Sequence, residues 1–173
     1  MKKLVFSGFG GQGVLTAGQI VAQIAMHQGK QVTWMPSYGP EMRGGTANCA
    51  VIIADTPIGS PMVQTDIDIL LAFNPPSVDK FLPHVKSGGT VLVNSSIVKD
   101  KVGRDDVTVV EVDATNIAVQ VGSLKVQNMA MLGGLMRATG LFGLDEVRVA
   151  LDEAFGKKYP QLIAVNLEAV GKE

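Results

Sequence analysis

The first segment whose residue types could do chemistry is the glycine-rich run GFGGQG, which follows a short apolar stretch. Gly8, Gly10 and Gly13 match the spacing G-x-G-x-x-G, directly after a candidate strand and at the start of a candidate helix. Glycines permit a tight turn and let the N–H groups of a helix N-terminus approach an anion. The pattern predicts either a nucleotide or phosphate site, or a turn shaped for a partner or a lone anionic group.

A dinucleotide site also needs an acidic residue at the end of the second strand, where it binds the ribose hydroxyls. Here the candidate second strand QVTW is followed by Met35, Pro36 and Ser37, and the first acidic residue is Glu41, inside a loop. The sequence therefore disfavours NAD or FAD binding. A stand-alone small nucleotide- or phosphate-binding domain is the alternative function.

A second segment able to bind an anion is the Pro/Gly-rich loop between Met35 and Thr46. Arg43 offers planar donors that suit a carboxylate or a phosphate, and two adjacent glycines let a substrate or a partner backbone approach closely. The alternative is a surface ion pair between Arg43 and Glu41, which is worth at most about 1 kcal/mol. The residues by themselves leave both interpretations open.

The helix predicted after the glycine run carries a stripe of neutral polar residues, namely Gln12, Thr16, Gln19, Gln23 and His27. An exposed helix face usually carries Lys, Glu and Arg, whereas the core of a protein interface is depleted of charge. We therefore expect another chain to cover this stripe. The alternative is a helix covered within its own domain.

The remaining reactive side chains have structural interpretations. Cys49 is the only cysteine, and the alternation in NCAVIIA places it inside a sheet, so we interpret it as a core residue. One thiol cannot form an intrachain disulfide, a Cys-only iron–sulfur site or a zinc ribbon. His27 and His84 lack an Asp or Cys partner at a fixed spacing, so we predict no metal site and no nucleophilic triad.

The elements that must position these segments follow the order β-α-β-loop-β-β-α-β-β-α-α-α. Strands are predicted at 2–7, 31–34, 48–54, 68–73, 90–95 and 107–112. Asn74 and Asp113 are the predicted caps of two short helices, and Gly88 with Gly89 is the predicted end of the first of them. This order predicts one α/β domain over 1–173, with an open, mostly parallel sheet and helices on both faces.

Charge is scarce and unevenly placed along the chain. Charged residues make up 18% of the sequence, the formal net charge is −1, and only 6 of the 31 charges fall in residues 1–65. This composition excludes a disordered chain and gives little attraction for nucleic acid or anionic lipid. The uncharged run 4–29 is too interrupted by glycine for a membrane span or a signal peptide, so we predict a cytoplasmic protein.

Three segments, GFGGQGVLTAGQIVA, PSYGPEMRGGTANCAVIIAD and NMAMLGGL, resemble the gamma subunit, or gamma domain, of the 2-oxoacid:ferredoxin oxidoreductases. The resemblance runs through essentially the whole chain and implies a Rossmann-like three-layer domain. It implies an enzyme that oxidatively decarboxylates a 2-oxoacid with coenzyme A, giving an acyl-CoA, CO₂ and reduced ferredoxin. The form GPEMRGGTANC resembles 2-oxoglutarate enzymes, or branched-chain 2-oxoacid enzymes, more than pyruvate enzymes.

The resemblance also implies a division of labour within a complex. Alpha and beta chains, with a possible delta chain, are the expected partners, and ferredoxin is reached through the complex. Thiamine diphosphate, magnesium and iron–sulfur clusters are expected in those other chains, so this chain is not expected to be active alone. The gamma part is associated with access of coenzyme A to the active site.

The resemblance carries two groups of binding residues onto this chain and implies no catalytic residue or metal ligand. The glycine turn contributes Gly8, Gly10, Gly11, Gln12 and Gly13, and the central loop contributes Tyr38, Gly39, Glu41, Arg43, Gly44 and Gly45. We expect the two segments to meet at the carboxyl ends of the strands, where ligands bind in open α/β sheets. Whether they contact coenzyme A, another cofactor or only a partner chain is left open by the motif.

Overall fold

The computed structural model describes residues 1–37 and 45–173, which form a six-stranded sheet with its helices. The strands are β1 (Lys2–Phe9), β2 (Gln31–Ser37), β3 (Thr46–Ala54), β4 (Ile67–Ala72), β5 (Val85–Asn94) and β6 (Thr108–Val112). The α-helices are α1 (Val14–His27), α2 (Pro75–Phe81), α3 (Ala114–Gln120), α4 (Gln127–Thr139), α5 (Leu144–Phe155) and α6 (Gln161–Gly171). Single 3₁₀ turns precede β5 and α4, at Leu82–His84 and Leu124–Val126. The predicted order of the strands is confirmed, whereas four α-helices follow β6 where the predicted order has three.

The sheet is mostly parallel, as predicted, with one reversed strand. Its strand order is β2-β3-β1-β4-β5-β6. The neighbours β1, β4, β5 and β6 pair in parallel, whereas β3 pairs antiparallel with both β1 and β2. The insertion of β3 moves β2 to the edge of the sheet, one strand away from β1.

Helices cover the two faces of the sheet unequally. One face packs with α1, α3, α4, α5 and α6 into a core that includes Phe6, Leu71 and Leu92, while the other packs with α2 around Val5 and Leu70. Strand β4 is buried at all six positions because both of its faces are covered, as its unbroken apolar run predicts. Within the described residues, no helix is long and apolar enough to cross a membrane.

The predicted end of the helix after β4 was wrong. The chain leaves helical geometry at His84, and Gly88 and Gly89 lie inside β5. Pairing with β4 jumps from Val85 to Thr90, so the residues between them form a bulge. Gly88 has a φ of +74° there and donates its N–H to the carbonyl of Asp106 at 2.7 Å. The two glycines therefore form a bulge in a strand. Local sequence cannot distinguish such a bulge from the end of a helix.

Candidate functional site at the carboxyl edge of the sheet

The glycine turn joins the carboxyl end of β1 to the first turn of α1, as its motif predicts. Gly13 is the residue before the helix and has a φ of +73° and a ψ of +21°, a left-handed conformation that favours glycine. Gln12 holds the turn closed, because its Oε1 accepts the Phe9 N–H at 2.7 Å and its main-chain N–H donates to the Phe9 carbonyl at 3.2 Å. The first N–H groups of α1 have no acceptor within the helix and are the donors suited to an anion.

A buried amide that sequence reasoning missed supports this turn. Asn128, in the first turn of α4, is only 4% exposed and donates Nδ2 to the Gly13 carbonyl at 3.1 Å. Its Oδ1 accepts the N–H of Met129 at 3.0 Å. Asn128 therefore links α4 to the start of α1. The available signal was a single amide at the head of the apolar segment NMAMLGGL.

The end of the central loop contacts the glycine turn. The N–H of Gly10 donates to the carbonyl of Gly45 at 3.0 Å, and the antiparallel pairing of β1 with β3 sets Phe9 beside Thr46. This contact places Gly45 with the six-residue turn that begins at Gly8. The other predicted loop residues lie outside the described residues, and these are Tyr38, Gly39, Glu41, Arg43 and Gly44.

The glycine turn lies where two strands that are neighbours in the sheet are followed by helices on opposite faces. Strand β1 leads into α1 on one face, and the neighbouring strand β4 leads into α2 on the other. In open α/β sheets such a switch point leaves a crevice at the carboxyl ends of the strands, and ligands bind there. The expected location of the site at this edge of the sheet thus has a structural basis.

Asn74, fully buried at the end of β4, brings a second amide to the switch point. Its Oδ1 accepts the N–H of Ser77 at 3.0 Å and the Ser77 hydroxyl at 2.6 Å, so its predicted capping role is confirmed. Ser7, on the neighbouring β1, donates its hydroxyl to Ser77 at 2.8 Å. Over the described ranges no hydrogen-bond acceptor reaches Asn74 Nδ2. A buried amide without an acceptor is costly, so Asn74 Nδ2 is a donor for which the described residues supply no partner.

The expected cap of α3 is supplied by a different side chain. Asp113 precedes the helix but makes no capping hydrogen bond to it. Instead the Ser96 hydroxyl accepts the N–H groups of Thr115 at 3.1 Å and Asn116 at 3.3 Å. Hydrogen bonds from the side chains of Ser96 and Asn116 lower the pKa of Asp113. The residue that caps the helix is thus remote in sequence and was not predicted.

Cys49 lies in the core, as predicted. It is fully buried in β3, and burial raises the pKa of its thiol to about 12, although Trp34 and the Gly18 backbone oppose the rise. Metal and cluster ligation and nucleophilic attack all need the thiolate, which this environment suppresses. In the part of the chain that the structure describes, no group of three or more His, Cys, Asp and Glu side chains is placed to hold a metal ion.

Two residues of the stripe on α1 contact this chain's own α5, while cover of the stripe by another chain stays a prediction. Gln23 donates to the carboxylate of Glu153, and His27 Nε2 lies 3.1 Å from the same carboxylate. Of the two stripe residues that precede Gln23 within the helix, Gln19 is exposed and Thr16 is half-buried. The amide of Gln23 is explained by the carboxylate of Glu153, which lies 130 residues further along the chain on α5. Sequence spacing could not reveal this contact.

Comparisons with known proteins agree with this geometry. Residues 3–172 match the family described as pyruvate ferredoxin/flavodoxin oxidoreductase. The ketoisovalerate oxidoreductase subunit VorA of Methanothermobacter marburgensis is 42% identical over 168 residues, covering 96% of this chain and 34% of VorA. The 2-oxoglutarate synthase subunit KorC of Methanocaldococcus jannaschii is 37% identical over 159 residues, covering 90% of this chain and 84% of KorC. This chain thus spans about a third of the length of VorA but most of that of KorC.

A solved structure supports the same assignment. The gamma subunit of a keto/oxoacid ferredoxin oxidoreductase from Geobacter sulfurreducens matches this chain with a TM-score of 0.81 at 31% identity. The match covers 98% of this chain and 94% of that subunit. The resemblance seen in the sequence and the predicted fold class are therefore confirmed. The chain belongs to the pyruvate ferredoxin/flavodoxin oxidoreductase family.

Proposed function

We propose that this chain is the gamma part of a 2-oxoacid:ferredoxin oxidoreductase and has no turnover by itself. The complex would oxidatively decarboxylate a 2-oxoacid with coenzyme A, giving an acyl-CoA, CO₂ and two electrons for ferredoxin. The observation that carries the proposal is the match, over nearly the full length of both chains, to the gamma subunit from Geobacter sulfurreducens. VorA and KorC, which are subunits of enzymes acting on two different 2-oxoacids, support the same class.

The described residues suit an access site for a phosphate-bearing substrate. The N-terminal N–H groups of α1 and the buried amide of Asn74 flank one switch point, and both are neutral donors. Coenzyme A carries phosphate groups that such donors bind. We propose that the glycine turn, with the central loop beside it, shapes the entrance for coenzyme A. In this proposal Gly8, Gly10, Gly11 and Gly13 let the main chain approach the ligand.

The cofactors of the reaction are assigned to the partner chains. Thiamine diphosphate, bound with magnesium, would supply the electron sink for decarboxylation, and iron–sulfur clusters would carry the electrons. The glycine turn offers amides and main-chain N–H groups, whereas magnesium needs oxygen ligands such as carboxylates. The protonated, buried thiol of Cys49 is unsuited to a cluster. The chemistry of these donors supports a subunit that shapes access.

We further propose alpha and beta partner chains, with a separate delta chain as a variant of the same complex, and a cytoplasmic location. Ferredoxin would dock on the cluster-bearing chains. For the substrate, the loop form favours 2-oxoglutarate. The higher identity to VorA makes ketoisovalerate the second candidate, and pyruvate the third.

The test is to reconstitute the complex. The chain is produced alone and together with its alpha and beta chains, and reduction of ferredoxin is followed with each 2-oxoacid in the presence and absence of coenzyme A. We expect coenzyme A-dependent activity only in the complete complex. Turnover by the isolated chain would overturn the proposal. Full activity of the alpha and beta chains in the absence of this chain would overturn it as well.

Calorimetry on the isolated chain separates this function from a stand-alone nucleotide-binding domain. The ligands are NAD, FAD, ATP and coenzyme A. Micromolar binding of a dinucleotide would support the alternative. We expect no such binding, because β3 separates β1 from β2 by two strand spacings, about 10 Å, and β2 ends at Ser37 without an acidic side chain.

A further inference from the structure

Among the residues that the structure describes, no helix covers half of one sheet face. Strands β2 and β3 pack against α1 on the face that contains Cys49 and Val51. On the opposite face α2 packs against β1 and β4, and among the described residues no helix packs on the β2–β3 half of that face. We name the surface there the β2–β3 patch, which consists of Phe9, Met35, Ser37, Thr46, Asn48 and Ala50.

Strand register defines the patch. Val5, Ala50 and Met35 form one row across three strands, and Ser7, Asn48 and Ser37 form the next. Exposure rises along the first row from buried Val5, through half-buried Ala50, to Met35 at 43%. Phe9, at the end of β1, is 38% exposed. The sheet therefore continues as an uncovered surface toward its β2 edge.

The patch is apolar or neutral at every position. Its six residues include no charged side chain, and they belong to the part of the chain, residues 1–65, that holds 6 of 31 charges. Exposed surface normally mixes Lys, Arg, Asp and Glu, whereas the cores of protein interfaces are poor in charge and rich in aromatic residues and Met. Phe9 and Met35 are residue types of that kind. The low charge of this region is thus explained by the sheet face as well as by the contact between α1 and α5.

The lengths of the relatives indicate what covers the patch. In VorA the matched segment is 34% of the protein, so about two thirds of VorA lies outside it and is covalently joined to this domain. A covalent link holds the two parts at high effective concentration, which favours contact between them. We propose that the β2–β3 patch is the docking surface for the polypeptide that corresponds to the rest of VorA. This inference rests on the proposed function.

The interface is tested with the full chain and that corresponding polypeptide from the same organism, produced separately and mixed. The dissociation constant is measured by titration calorimetry, and the stoichiometry by light scattering. Met35→Lys and Ser37→Lys replace exposed patch residues, so each variant is expected to fold, which its urea midpoint verifies. A lysine buried without a partner at the interface is expected to weaken binding by roughly 100-fold.

The matched control is Val119→Lys. Val119 is 59% exposed on α3, whose core contacts are with α4 on the opposite face of the sheet. We expect its dissociation constant to stay within about twofold of the wild-type value, since exposed substitutions away from an interface cost little. Loss of binding in both patch variants, with the control unchanged, supports the proposal.

The outcomes that contradict the two proposals differ. Failure of the wild-type chain to bind the polypeptide would overturn the proposed function together with its partner. Wild-type binding that both patch variants retain would overturn only the assignment of this surface. Formation of a wild-type homodimer that Met35→Lys dissociates would show that a second copy covers the patch, which also overturns the assignment.

Discussion

Replacing Gly13 by alanine tests whether the glycine turn is held by backbone conformation alone or also by Asn128. Gly13 has a φ of +73° and a ψ of +21°, and forcing an L side chain into that region costs about 1–2 kcal/mol. A Cβ at this position would lie 2.5 Å from Asn128 Nδ2 and 2.7 Å from Asn128 Cγ. Asn128 is 4% exposed and must shift within the core, losing its hydrogen bond to the Gly13 carbonyl, worth about 0.5–1.5 kcal/mol. The expected total is about 1.5–3.5 kcal/mol.

Gly140 provides a matched control, because its φ of +61° and ψ of +17° are close to those of Gly13. No atom lies within 4 Å of a Cβ built there, so Gly140→Ala should lose only the conformational cost of about 1–2 kcal/mol. The free energy of unfolding is measured by urea denaturation of the isolated chain, with circular dichroism as the signal. Gly13→Ala should be more destabilised than Gly140→Ala by about 0.5–1.5 kcal/mol.

A third variant identifies the source of the difference. In an Asn128→Ala background the two closest contacts and the hydrogen bond are gone and only the Cβ at position 128 remains near, at 3.1 Å, so adding Gly13→Ala should cost little more than Gly140→Ala. Equal losses for Gly13→Ala and Gly140→Ala in the wild-type background would refute the role assigned to Asn128. A full additional loss in the Asn128→Ala background would refute it as well.

Three further predictions follow from two titratable groups. Because burial raises the pKa of Cys49 from 9.0 to about 12, the native thiol should react with a disulfide reagent at pH 8 at least about 1,000-fold more slowly than in urea; equal rates in the two conditions would contradict this. The raised pKa also means that the contribution of Cys49 to stability declines as pH rises from about 9 toward 12, and the decline should be missing in Cys49→Ala. Asp106 behaves in the opposite sense, since hydrogen bonding to Arg104 lowers its pKa from 3.8 to about 2. The Asp106 carboxylate should stabilise the fold above about pH 4 and lose that effect as pH falls toward 2. The urea midpoints of the wild type and Asp106→Asn should therefore converge as pH approaches 2. A constant difference between the two midpoints would contradict the assignment.

The predictions that held depended on local patterns. Alternation and unbroken apolar runs located the six strands, and the start of the helix after β4 was read from Asn74. These signals work because side-chain direction repeats every two residues in a strand and every 3.6 in a helix, and because capping uses neighbouring N–H groups. The glycine turn before α1 was predictable for the same reason.

The predictions that failed depended on contacts between distant segments. Gly88 was assigned to a helix end because the bulge it occupies exists only against β4. The contact of the stripe residue Gln23 with Glu153, on α5, was not predicted. The cap of α3 was assigned to Asp113, although the oxygen that accepts its N–H groups belongs to Ser96.

For this protein the sequence by itself determined the order of the strands, the glycine turn, the burial of Cys49 and the family. Only the tertiary structure decided that β3 inserts in reverse between β1 and β2 and that Asn74 and Asn128 flank the turn. It also decided that no helix of the described ranges packs on the β2–β3 patch. The reason is physical. Secondary structure and capping are set by residues a few positions apart, whereas strand neighbours, buried amide partners and uncovered faces depend on which distant segments pack together.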